Sequence, residues 1–159
     1  MRRVVADTSP LFYLLSIDLI DLLPQLFGRL SIPDAVHNEL NHPRAPLPVR
    51  DWAAVPPSWL GVVPVDTLDD LELVPLGDGE RAAITLAQFL KADLILIDER
   101  KGTAVALNKG FEVTGTLGVL GLAARHGYVD LADSFARLKR TNFRYRQEIM
   151  DALLNQHAR

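Results

Sequence analysis

The chain has 159 residues and no cysteine, so it can bury one sizeable core but can hold neither a disulfide nor a thiolate metal site. Hydrophobic residues make up 48% and charged residues 23%, an ordinary globular balance that excludes a low-complexity or collagen-like chain. A formal net charge of −3 does not advertise a nucleic-acid binder, although a local basic patch would escape such a sum.

Arg2 and Arg3 followed by apolar residues faintly mimic a signal peptide, but Asp7 and Pro10 interrupt the run. No apolar stretch is long enough to span a bilayer, so a cytoplasmic protein without membrane contact is expected. Val4-Val5-Ala6 reads as a short buried strand that ends in Asp7. Ser9 is expected to cap the helix that follows, with Pro10 in its first turn. Leu11, Leu14, Leu15, Leu19, Leu22, Leu23 and Leu26 recur at helical spacing. The helix should break near Ser16, restart at Asp18 and end at Gly28. Phe12, Tyr13, Ile17 and Ile20 make the pair apolar on nearly every side, which predicts part core and part homodimer face.

Leu30 to Pro33 is a second strand, and Asp34 starts a helix carrying Val36, Glu39 and Leu40. A Pro-rich loop from Asn41 to Pro48 precedes one or two helical turns over Val49 to Ala54. Trp59 to Val65 reads as a strand near a sheet edge, because Pro64 cannot donate to a ladder. Asp66 to Pro75 is an acidic connector. Gly77-Asp78-Gly79-Glu80 opens an Ala-rich helix, and Asp93 to Asp98 is the clearest strand, apolar enough to be covered on both faces. Glu99 to Lys109 is a helix stopped by Gly110, and Phe111 to Val113 a last strand. Thr116 is expected to cap a helix running to His126, with two more near Leu131 to Lys139 and Arg144 to Gln156. Strands alternating with helices predict a single domain over 1–159, three-layered α/β/α, with a mainly parallel central sheet.

Four acids recur at element ends. Asp7 and Asp98 each close an apolar strand, Glu39 follows the second strand, and Glu80 lies in the first turn before the strand of Asp98. Helix capping and dipole stabilisation explain such acids singly. Together at a carboxyl sheet edge they would repel unless protonated or bridged by a cation. An all-oxygen site of this kind suits Mg²⁺ or Mn²⁺. The four histidines offer nothing comparable, since His37 and His42 share no helical face. Thr8, Ser9 and Thr116 bring hydroxyls toward the same edge. Arg137, Lys139, Arg140, Arg144 and Arg146 form a run of five cations without an acid, interleaved with Phe143 and Tyr145. Such a run suits a phosphate backbone and unpaired bases, or equally a solvated helix junction.

Asp7-Thr8-Ser9-Pro10, Pro33 to Glu39, Gly79-Glu80 and Leu96-Ile97-Asp98-Glu99 stand in an order that resembles PIN-domain nucleases. Val113 to Leu120 resembles a bacterial and archaeal branch related to VapC-type toxins. The resemblance covers roughly residues 2 to 150. It implies a parallel sheet with the strand of Asp7 central, and metal-dependent cleavage of RNA. It places the acidic quartet on Asp7, Glu39, Glu80 and Asp98, with Asp7, Glu80 and Asp98 on metal and Thr8, Ser9, Glu99 and Thr116 auxiliary. Many such relatives are toxins paired with a small antitoxin. Glu80 stands where many PIN domains have Asp, and Thr103 where this branch often has Arg. Two other readings compete: a non-catalytic interaction module, supported by the Leu-rich first helices, and an aspartate-based phosphotransfer domain, which also places an aspartate after the first strand. The phosphatase form of the latter wants a second aspartate where Ser9 stands.

Overall fold

A computed structural model describes residues 2–66 and 70–158. Residues 67–69, in the middle of the acidic connector, lie outside the described residues.

Strand residues with apolar side chains on both faces demand cover on both sides, and the chain supplies it with helices. Five strands form one parallel sheet: β1 (Val4–Ala6), β2 (Leu30–Pro33), β3 (Leu60–Val63), β4 (Leu94–Leu96) and β5 (Glu112–Thr114). Their order is β3-β2-β1-β4-β5, so β1 is central and β3 is the edge that Pro64 predicts. Successive side chains alternate between two cores. Val4, Ala6, Leu94 and Leu96 face one, and Val5, Ile95 and Ile97 face the other.

The first core is covered by α1 (Thr8–Ser16), α2 (Leu22–Phe27), α3 (Asp34–Leu40), α4 (Leu47–Ala54), α7 (Thr116–Arg125), α8 (Leu131–Lys139) and α9 (Gln147–Ala158). The second is covered by α5 (Asp78–Leu90), α6 (Arg100–Asn108) and a 3-10 turn at Leu71–Leu73. The result is the expected three-layer α/β/α domain. Among the described residues, no helix is long and apolar enough to cross a membrane.

Some boundaries differ from expectation for local reasons. Asp18 does not restart a helix; it sits in the turn with φ of 60°, and α2 begins at Leu22. A helix begun at Asp18 would require an N–H from Pro24 toward Ile20, and proline has none. α4 begins at Leu47, two residues early, because Pro48 is compatible with a first turn. α9 begins at Gln147 and not at Arg144, leaving residues 140–146 as a connecting segment. The all-round apolar pattern of α1 and α2 is absorbed largely within the chain. Leu11, Leu14, Ile17, Leu22 and Leu23 are buried, and Phe12, Tyr13, Leu15, Leu19, Ile20, Leu26 and Phe27 pack half-buried against them.

Position in the sheet should set sensitivity to truncation. Ile95→Ala, on a fully buried side chain of β4, should cost about 2–5 kcal/mol in urea unfolding. Val62→Ala, on edge strand β3 with a 37% exposed side chain, should cost roughly 0.5 kcal/mol. Comparable losses at the two positions would contradict this two-core packing.

Candidate active site

The chain turns in opposite directions from its two central strands. From β1 it proceeds to β2 on one side, and from β4 to β5 on the other. At such a reversal the following helices leave on opposite faces, and a crevice opens at the carboxyl edge. Here α1 packs on the first core and α6 on the second. Ala6 is in register with Leu96, and the Asp7 N–H donates to the Leu96 carbonyl at 2.8 Å. Asp7 is therefore level with Ile97, and Asp98 follows one residue further along the same carboxyl edge, within electrostatic reach of Asp7. Glu39, near the end of α3, and Glu80, in the first turn of α5, line the same groove.

Asp7 is 5% exposed. Its carboxyl is pushed up to about 7, first by burial, with the charges of Glu80, Glu39 and Asp98 adding to it. The adjacent Thr8 N–H pulls the other way. Asp7 occupies the N-cap position of α1 but makes no capping hydrogen bond. All three other acids thus act electrostatically on one buried carboxyl.

Each neighbour is held separately. Thr8 Oγ1 donates to Glu39 Oε2 at 2.5 Å. The Glu39 carboxylate lies over Gly79, where a Cβ would approach its Oε1 to 2.7 Å. Glu80 folds back over the N-cap Gly77, and its Cγ lies 3.5 Å from where a Cβ of Gly102 would stand. Asp98 takes three donors. Ser9 Oγ reaches Oδ2 at 2.8 Å, Thr116 Oγ1 reaches Oδ2 at 2.7 Å, and the Thr116 N–H reaches Oδ1 at 2.7 Å.

These bonds revise three assignments. Ser9 does not cap α1; it lies inside the helix and donates to Asp98. Thr116 does not cap α7; Gly115 holds that position, and Thr116 turns both its N–H and its hydroxyl to Asp98. Asp98 in turn does not cap the helix after its own strand, because Glu99 does so by accepting the Gly102 N–H at 2.8 Å. Glu99 lines the groove mouth, but its observed hydrogen bond is a helix cap.

The five cations separate. Arg144 and Arg146 line the groove. Arg137 pairs with Asp133 at 3.1 Å and donates to the Ile17 carbonyl at 3.3 Å. Lys139 lies 5.5 Å over the Tyr145 ring, and Arg140 follows the last turn of α8, so neither is part of the groove lining. The basic segment is anchored to α1 through Tyr13, Asn142 and Phe143, none of them an expected site residue. The Tyr13 hydroxyl donates to Asn142 Oδ1 at 2.9 Å, and the Tyr13 and Phe143 rings meet edge to face at 4.9 Å. Burial raises the Tyr13 pKa, the Asp98 charge adds to that, and Arg144 opposes it, so the same phenol senses the acidic floor and the basic wall. Its signal was spacing: Tyr13 is one helical turn from Ser9 and shares its face.

Among the described residues, no three His, Asp or Glu side chains are gathered closely enough to form a metal site as they stand. The donor set nevertheless fits a hard cation. It is all oxygen, and a carboxyl raised chiefly by burial, with three like neighbours adding to it, is a group that a divalent ion would stabilise. A family model described as DUF3368, a PIN domain, matches residues 3–159. No curated protein matches the sequence.

The buried carboxyl sets the pH dependence of the ion-free protein. With its folded pKa raised from 3.8 to about 7, Asp7 favours folding fully below pH 4. That contribution declines as pH rises through about 7. In EDTA, the wild type should therefore lose stability between pH 5 and pH 8 relative to Asp7→Asn, measured by urea unfolding. Parallel pH profiles for the two proteins would show that Asp7 is not so perturbed.

Proposed function

The chain belongs to the PIN-domain family, whose members are generally nucleases, and we propose that it is a divalent-metal-dependent ribonuclease hydrolysing RNA phosphodiester bonds. The observation that carries the reading is the placement of Asp7, Glu39, Glu80 and Asp98 along one groove at the reversal between β1 and β4.

In this reading Asp7, Glu80 and Asp98 hold Mg²⁺ or Mn²⁺, and Glu39 completes the cage or orients the attacking water. Bound there, the ion would acidify water and neutralise charge developing on the phosphodiester. The chain's own groups do the positioning. Ser9 and Thr116 fix the Asp98 carboxylate, and Thr8 fixes that of Glu39. Arg144 and Arg146 offset the negative charge of the strand as it meets an acidic floor. The buried position of Asp7 keeps its carboxyl poorly hydrated, which strengthens its attraction for a cation.

The reading extends to the toxin of a toxin–antitoxin pair, with a small antitoxin and a second copy of the chain as partners. Its support is the resemblance carried by Val113 to Leu120, since the apolar side chains of α1 and α2 are largely taken up by the chain's own core. Light scattering of the isolated chain checks the homodimer, and monomer alone at high micromolar concentration counts against it. The phosphotransfer reading loses ground in its receiver form, because the strand order is β3-β2-β1-β4-β5 and not 2-1-3-4-5. A non-catalytic interaction module remains the competing outcome of the test that follows.

Asp98→Asn separates chemistry from scaffold. Asparagine keeps an oxygen for the Thr116 N–H, and the two hydroxyls can turn to accept from its amide. Melting temperature without ions should change by only a few degrees, since the loss of one repelling charge is offset by weaker hydrogen bonds from Ser9 and Thr116. Added Mn²⁺ should raise the melting temperature of the wild type and that of the variant much less. Cleavage of single-stranded RNA should fall by roughly a hundredfold or more. Equal Mn²⁺ shifts and equal cleavage would remove Asp98 from the site, and no cleavage by the wild type would favour the interaction module.

A further inference from the structure

The nuclease reading leaves an electrostatic gap on one side of the groove. A polyanionic strand crossing four carboxylates meets Arg144 and Arg146 on the wall formed by residues 140–146. Arg146 is partly engaged already, with Glu148 at 3.9 Å. The strand must also leave on the far side, past the start of α6. There the groove is lined by Arg100, the first residue of that helix.

Arg100 has no structural task in view. Among the described residues it makes no ion pair, a trait it shares with Arg144. Its position also runs against local preference. A helix N-terminus carries partial positive charge and favours acids in its first turn. The first turn of α6 instead holds Arg100 and Lys101 and no acid, while its last turn holds no base. Glu99 caps the helix from outside that turn. A locally unfavourable cation at the edge of a cleft marks a place where function overrides helix preference.

We propose that Arg100 is a substrate-binding residue, holding a phosphate of the strand on the α6 side of the carboxylates while Arg144 holds one on the opposite side. This rests on the nuclease reading and adds a contact outside the predicted basic run. The guanidinium presents a planar fork suited to two phosphate oxygens. It acts on binding and register, not on the reacting water.

The neighbouring cation supplies the control. Lys101 shares the helix turn and the charge but does not line the groove. Binding of a fluorescein-labelled, unstructured RNA oligonucleotide would be followed by anisotropy in EDTA over a range of KCl concentrations. Cleavage of the same RNA would be followed with Mn²⁺. Arg100→Ala should weaken binding about tenfold, and Arg144→Ala similarly. Each should reduce the slope of log affinity against log salt by about 0.7, one single-strand contact. For Arg100→Ala, KM should rise while kcat stays near that of the wild type. Lys101→Ala should match the wild type, and all variants should melt within a few degrees of it. Equal behaviour of Arg100→Ala and Lys101→Ala, or a fall in kcat without weaker binding, would overturn the assignment while leaving the nuclease reading intact if the wild type cleaves. A wild type that neither binds nor cleaves the RNA would overturn both.

Discussion

A carboxyl group at the end of a strand covered on both faces is the constraint around which this molecule is arranged. Val4, Val5 and Ala6 are at most 3% exposed, so the residue that follows them is delivered where little water reaches. Asp7 cannot be relieved by solvent as a surface acid is. It must stay protonated, find a donor or find a cation. The sheet reversal then makes the position useful. It brings Asp98 to the same edge as Asp7 and opens a crevice where helices leave opposite faces from neighbouring central strands. Glu39 and Glu80 reach the same groove from helices, and their charges add to the burial of Asp7 without sharing it.

Four carboxylates in one groove would be badly frustrated if each depended on a cation to be satisfied. The hydroxyls solve this locally. Thr8 holds Glu39, Ser9 and Thr116 hold Asp98, and the backbone of α7 adds a third donor to Asp98. Charge-assisted bonds of this kind are about twice as strong as neutral ones. The helix-start chemistry that follows each strand is thus used sideways. Ser9 and Thr116 stabilise a neighbouring element's acid; of the residues at the three N-cap positions, Asp7, Glu99 and Gly115, only Glu99 caps with its side chain.

That division explains what the sequence reveals and what it hides. The β1 and β4 strands and the acid after each are legible because burial and a turn signal are local properties of Val4–Asp7 and Leu94–Asp98. The parallel sheet follows from alternation of elements. Ser9 and Thr116 read as caps because capping is what such residues do most often next to a helix start. Their true acceptor, Asp98, is 89 residues from one and 18 from the other, and no local pattern encodes that. The basic run looks uniform along the chain, yet i,i+4 spacing on α8 pairs Arg137 with Asp133, while the segment after that helix leaves Arg144 and Arg146 in the groove. Tyr13 and Asn142 are 129 positions apart, so their bond belongs to the tertiary structure alone.

The floor and the wall of the groove therefore differ in how firmly they are built. The floor rises from two central strands and fully buried side chains. The wall is residues 140–146, followed by α9, in which Met150 is the only buried residue among those described. It is held to α1 chiefly by the Tyr13–Asn142 hydrogen bond and the edge-to-face contact with Phe143. Segments with few buried apolar contacts open at lower free energy than the core does. The floor around Asp7 and Asp98 can thus keep its geometry while the basic wall shifts. Tyr13 joins the two, since its ring fixes the wall and its hydroxyl lies within the field of Asp98.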